Sequence, residues 1–276
     1  MTTHPALVSG RTAVITGAAS GIGFAAAEAL AALGMGVVLV DLPGEQLEAA
    51  VARLAATGAQ VLAIGADVSD AAALCDAAGQ VAALPPVTVL MNNAGMGLPS
   101  STLKADGWAR TLGVNLWGVI NGTQAFATAM IAHGEPAVII NTGSKQGITT
   151  PPGNPAYNVS KAGVKSFTEA LAHELRNSPG QVSAHLMIPG WVHTGLTAAS
   201  GASKPDGAWT PQQAVAFMRE SLGRGDFYIL CPDNDVPRTL DEKRIAWAAG
   251  DIIQNRPALS RWHPDFAEAF KAYLAD

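Results

Sequence analysis

Seven short apolar runs punctuate the chain: Thr12–Thr16, Val37–Val40, Val61–Ile64, Val87–Met91, Ala137–Asn141, Val182–Ile188 and Phe227–Leu230. Most are continuously apolar and do not alternate with polar residues, the pattern of parallel strands covered on both faces. Ala-rich helical stretches fill the gaps: Gly23–Leu33, Glu45–Ala56, Ala71–Ala83, Ala105–Ile131 and Ala156–Asn177. Strand-helix-strand alternation of this kind predicts an α/β fold with a doubly wound parallel sheet of about seven strands. No internal repeat or long linker interrupts it, so residues 1–276 are expected to form one domain. A 49% hydrophobic and 14% charged composition supplies the core that such a sheet needs.

The same composition narrows the partners. The net charge is -5, and no Lys/Arg cluster stands out, so nucleic acid and anionic membrane are not expected to bind. Gly21–Val40 carries Glu28 as its only charge, but Gly34 and Gly36 break it; a buried helix and strand explain it better than a membrane span. Cys75 and Cys231 show no metal or disulfide spacing, and the six histidines do not pair, so no metal site is expected. MTTHPALVSGR lacks an apolar leader core, and the cytoplasm is the expected location.

Thr16–Gly23 reads TGAASGIG between the first strand and the first helix. In that context Gly17 permits a tight turn, Gly21 lets the backbone approach a pyrophosphate, and Gly23 lets helix and sheet pack closely. The helix N-terminus, beginning near Ser20 and Ile22, offers free N–H groups to phosphate oxygens. The second strand ends at Asp41, 18 residues beyond Gly23. A carboxylate there accepts ribose hydroxyls of NAD and repels the extra phosphate of NADP. Leu42 and Pro43 follow, not basic residues, so NAD is the expected cofactor and NADP the alternative.

Tyr157 and Lys161 in YNVSK share one helix face. An ammonium about 5 Å from a phenol favours the tyrosinate by roughly 3 kcal/mol, about two pKa units. That predicts a phenol drawn toward a useful range for proton transfer. Ser144 lies 13 residues upstream, at the end of a strand, and is placed to bond a substrate oxygen. NNAG (92–95) sits at the C-terminal sheet edge, where open sheets bind ligands. Asn115 falls inside the long helical stretch, where Asn is a poor interior residue, and so marks a local break. In PGWVHT (189–194) a Pro-Gly turn would place Val192 and Thr194 beside a nicotinamide amide.

Taken in order, TGAASGIG, Asp67-Val68, NNAG, Asn115, Ser144, YNVSK and PGWVHT resemble the short-chain dehydrogenase/reductase family in its ordinary form of about 250 residues. The likeness runs from Gly10 to Thr194. It implies a Rossmann fold with strand order 3-2-1-4-5-6-7 and catalytic roles for Asn115, Ser144, Tyr157 and Lys161. It also implies adenine contacts from Asp67 and Val68, and a cofactor groove along Asn93, Ala94, Gly95, Pro189 and Gly190. By the same likeness Lys161 binds the nicotinamide ribose, Asn115 holds a water, and no metal takes part. Relatives often carry Ser-Ser where this chain has Gly143-Ser144. Family likeness further implies a homodimer or homotetramer, with Ala105–Ile131 and the Tyr157 helix as an interface.

Met96, Gln146, Trp191 and Trp209 fall on segments expected to border the reacting carbonyl, and their bulk suggests a hydrophobic or aromatic alcohol or ketone. Residues 194–222, rich in Gly, Ser and Ala at their start, are expected to form a loop or lid, and 233–276 a helical extension. The expected activity is hydride exchange between NAD(H) and a secondary alcohol or ketone. An NADP-preferring carbonyl reductase and a non-catalytic dinucleotide-binding protein are the competing readings; the complete Asn115, Ser144, Tyr157 and Lys161 set argues against the latter.

Overall fold

The computed structural model describes residues 3–177, 181–197 and 202–275. Seven strands form one parallel sheet in the order β3-β2-β1-β4-β5-β6-β7. They are β1 Thr12–Thr16, β2 Gly36–Asp41, β3 Val61–Gly65, β4 Val87–Asn92, β5 Ala137–Thr142, β6 Val182–Ile188 and β7 Tyr228–Leu230. Every residue of β1 and β5 is buried, as two-sided coverage requires. The order reverses between β1 and β4, which opens a crevice at the carboxyl ends of the strands.

Helices α1 (Gly21–Ala31), α2 (Glu45–Ala55) and α3 (Ala71–Val81) connect the first four strands. The predicted helix 105–131 is divided into α4 (Trp108–Leu112), a π-helical turn (Gly113–Trp117) and α5 (Gly118–Ala132). Its first residues, before Trp108, lie outside the helix. Asn115 sits in the π turn, so the break that its residue type implied is present. Next come a short α6 (Gln146–Thr149) and the long α7 (Pro155–Arg176).

The expected lid over 194–222 needs revision. Its second half is helix α8, Pro211–Arg224, closed by a capping box in which Thr210 Oγ1 accepts the Gln213 N–H and Gln213 Oε1 accepts the Thr210 N–H. Ala214, Val215, Met218 and Leu222 of α8 are buried in the core shared with α1. Irregular chain is confined to the stretch before Thr210, of which 198–201 lie outside the described residues.

The C-terminal extension forms α9 (Arg238–Ile253), two 3-10 turns and α10 (Ala267–Ala275). It folds around Trp247, whose ring packs at 5.1 Å from Phe270 and 5.2 Å from Tyr273, with Arg256 stacked 4.0 Å above it. No helix among the described residues is long and apolar enough to cross a membrane.

Candidate active site

A groove of about 530 Å³ runs along the carboxyl ends of the strands. Its walls include Gly17, Ser20, Gly21 and Ile22 from the β1–α1 turn, Asp41 from β2, Asp67 and Val68 after β3, and Asn93, Ala94 and Gly95 after β4. Ser144, Tyr157, Lys161, Pro189, Gly190, Val192 and Thr194 complete it.

Its glycines are needed for close approach. Gly17 and Gly21 have φ of +64° and +55°, and a Cβ on Gly17 would lie 2.6 Å from the Ala94 Cα. Gly23 does not line the groove; a Cβ there would collide with the Gly17 carbonyl and the Asn93 amide, so its role is packing of the turn. Asn93 staples that turn to β4: its Nδ2 donates to the Thr16 and Gly17 carbonyls at 3.2 Å each. Ser20 is the N-cap of α1 and makes no capping bond, so its hydroxyl is available to a ligand. A turn with no room for side chains, a spare hydroxyl and the open end of a helix suit a pyrophosphate.

Two carboxylates stand along the groove. Asp41 Oδ2 accepts the Ala19 N–H at 2.8 Å and Oδ1 accepts the Leu42 N–H at 2.8 Å. Arg11, the nearest preceding basic residue in sequence, pairs with Glu135 at 2.6 Å instead. Asp67 takes the Ser69 hydroxyl at 2.7 Å and its N–H at 3.0 Å, and faces Arg110 at 3.3 Å. The Ser69 hydrogen bonds are the main reason its carboxyl is held below the usual range.

At the other end, Ser144 Oγ accepts the Gln146 N–H at 3.1 Å and lines the groove together with the Tyr157 phenol. Burial pushes the phenol up from its ordinary value, while the Ser144 hydroxyl pulls it down. The expected lowering by Lys161 is therefore not what governs this geometry. The lysine is itself buried, 3% exposed, and its ammonium is drawn down to about 8 by loss of water. Lys161 Nζ donates to the Thr142 carbonyl at 2.7 Å and lies 5.8 Å from the centre of the Tyr157 ring. Asn115 is fully buried beneath them. Its Oδ1 accepts the Met96 N–H at 2.8 Å, and its Nδ2 donates to the Met96 carbonyl at 2.9 Å and Ser160 Oγ at 3.0 Å.

The short chain dehydrogenase family model matches residues 11–205. The chain belongs to that family. Among its relatives is the 1-deoxy-11-beta-hydroxypentalenate dehydrogenase of Streptomyces avermitilis, 32% identical over 246 residues, covering 86% of this chain and 90% of that one. A short chain dehydrogenase/reductase from Burkholderia phymatum, solved in complex with NAD, superimposes with a TM-score of 0.81 at 33% identity, over 90% of this chain and 96% of that one. A metagenomic short-chain oxidoreductase, solved with NADP, gives 0.67 at 31% identity over 82% and 98%.

Within this short chain dehydrogenase, the residues expected to meet substrate are divided. Met96 lines the groove. Gln146, Trp191 and Trp209 are not among its lining residues. Trp209 instead packs 5.8 Å from Phe217 against the core, with its indole N–H donated to Asn234. Sequence reasoning missed Leu196 and Thr197, which line the groove beyond PGWVHT, and Thr142, whose carbonyl holds Lys161. Thr142 carried no signal because its contact comes from backbone. Among the described residues no cluster of His, Cys, Asp or Glu is placed to hold a metal.

Proposed function

We propose that this protein exchanges hydride between NAD(H) and a secondary alcohol or its ketone, with Tyr157 as general acid and base. The observation that carries the reading is that Ser144, Tyr157 and Lys161 line the same groove as the Gly17–Gly21 turn. A bound nicotinamide dinucleotide would accept or return the hydride.

Gly17, Ser20, Gly21 and Ile22 would hold its pyrophosphate, Asp41 a ribose, Asp67 and Val68 the adenine, and Asn93–Gly95 with Pro189–Thr194 the nicotinamide half. In oxidation Tyr157 Oη takes the alcohol proton, and Ser144 donates a hydrogen bond to the oxygen as charge develops there. The Lys161 ammonium favours the tyrosinate that must be present to take that proton. Asn115 keeps the Met96 segment and the Tyr157 helix in fixed relation. Reduction reverses each step.

Asp41 supports NAD over NADP, since its carboxylate faces a groove where a further phosphate would meet like charge. Met96 and Leu196 on the groove wall support a substrate with an apolar body. Trp117 and Val159, 55% and 48% exposed near the start of α5 and on α7, support self-association through those helices.

The test is a panel of aliphatic and aromatic secondary alcohols with NAD+ and NADP+, read as nicotinamide reduction. NAD-linked turnover of at least one alcohol, lost in Tyr157→Phe by about a hundredfold or more, is the expected result. Full activity in that variant would refute the role of the phenol.

A further inference from the structure

Lys145 directly follows Ser144 but points away from the groove. Its Nζ lies 2.6 Å from Asp241 Oδ2 and 3.3 Å from Asp233 Oδ2, and the two carboxylate side chains are only 6% and 5% exposed.

Each carboxylate belongs to a different part of the fold. Asp233, beyond β7, also accepts the Trp191 N–H at 3.0 Å through Oδ2 and the Val236 N–H at 2.8 Å through Oδ1. It thus grips the Pro189–Trp191 turn that walls the groove. Gly190 is pressed onto the cluster: a Cβ there would lie 2.5 Å from Asp233 Oδ2 and 2.8 Å from Lys145 Nζ. Asp241 is in the first turn of α9. Arg244, the Cys231 thiol and Arg261 are the other titratable groups that act on this cluster.

We propose that Lys145 is a positioning residue. Through Asp233 and Asp241 it locks the Ser144 loop, the Pro189–Trp191 turn and the C-terminal extension into one unit. The extension is thereby part of the machinery that sets where the Ser144 hydroxyl stands relative to Tyr157. Two buried carboxylates around one ammonium are costly to assemble, and a simple apolar contact would have fastened α9 as well. The cluster is therefore read as a device for placement, because an error of about 1 Å in an active-site group can cost about a hundredfold in rate. This rests on the hydride-transfer reading above.

Three variants of the full chain test it. Asp241→Asn keeps shape, removes one charge and leaves Lys145 paired with Asp233. It should lower kcat about tenfold and raise the Kd for NAD+, measured by quenching of tryptophan fluorescence. Lys145→Met should lower kcat about a hundredfold, and Lys145→Arg should restore most of it. A fastening role alone would lower the melting temperature and leave kcat per folded enzyme and the NAD+ Kd within twofold; that result overturns the proposal. If Lys145→Met does not fold, Asp241→Asn decides by the same criteria. Should wild-type protein oxidise no alcohol, the functional reading fails instead, and the NAD+ Kd of Asp241→Asn alone judges the positioning: unchanged affinity would overturn it.

Discussion

Asp41 Oδ2 accepts the backbone N–H of Ala19 at 2.8 Å, so the last residue of β2 is tied to the turn that joins β1 to α1. One carboxylate therefore shapes the glycine turn and also stands at the groove wall. Each of its oxygens holds one N–H, yet each retains a lone pair for a ligand hydroxyl.

Asp41→Ala should then change cofactor choice and the turn together. The kcat/KM ratio for NAD+ over NADP+ is expected to fall by about tenfold or more, equivalent to about 1.4 kcal/mol of lost discrimination. Loss of the Ala19 bond should cost about 1 kcal/mol of stability. Parallel kinetics with both dinucleotides check the first effect; a ratio unmoved from wild type would remove Asp41 from ribose binding.

Lys161→Met should be more stable than wild type at neutral pH and close to inactive. The native lysine has its pKa drawn from 10.5 down to about 8, which corresponds to about 3 kcal/mol of burial cost. The sign follows from linkage. Between pH 8 and 10.5 the unfolded chain binds the proton that the native lysine has lost, so wild-type stability rises with pH across that window. Below pH 8 the penalty is fully present. Methionine removes it but orphans the Thr142 carbonyl, leaving a net gain of about 1–2 kcal/mol, or a few degrees in Tm. Thermal melts of both proteins at pH 7 and pH 10 test this: the gap should close at the higher pH. The elevated phenol of Tyr157 acts in the opposite direction above pH 10, but it is present in both proteins.

Asn115→Leu preserves volume while stripping three hydrogen bonds from the π turn. The N–H and carbonyl of Met96 are left without this partner, at a cost of about 2–4 kcal/mol. Urea unfolding should show the loss, and kcat should fall with it, because Met96 lies on the groove wall. Stability within about 0.5 kcal/mol of wild type would mean that the turn does not depend on Asn115.

The strands and the groove were legible because both are written locally: continuous apolar runs give buried strands, and glycine turns give close approach. Strand order came from family likeness, and the sheet has that order. Asn115 advertised its π turn by being a poor helix residue in a helical stretch. Helix α8 was missed although TPQQ encodes its capping box, since Gly, Ser and Ala just upstream set the expectation of a loop. Trp209 was misplaced for a different reason: nothing in a loop sequence says on which side an indole will pack. Lys145 with Asp233 and Asp241 was invisible, because its members lie 88 and 96 positions apart and only the turn of the chain after β7 brings them together.

Gly147 gives the sharpest test of how the two halves of the candidate site are held together. It lies in α6, three residues after Ser144, against the helix that carries Tyr157 and Lys161. A Cβ at that position would stand 2.5 Å from the Lys161 carbonyl carbon, 2.6 Å from its oxygen and 2.8 Å from the Ala162 nitrogen. All three are backbone atoms of α7 and cannot turn aside as a side chain would. Its φ is not in the left-handed region, so strain at the glycine itself contributes nothing. Gly147→Ala must therefore push α6 and α7 apart, and with them Ser144 and Tyr157. Overpacking of this kind costs about 1–3 kcal/mol, and displacement of reacting groups by about 1 Å costs about a hundredfold in rate. The variant should fold with a lowered Tm, bind NAD+ with little change, and lose kcat far beyond its loss of stability. Activity retained alongside a lowered Tm would show that the spacing of Ser144 and Tyr157 is set elsewhere.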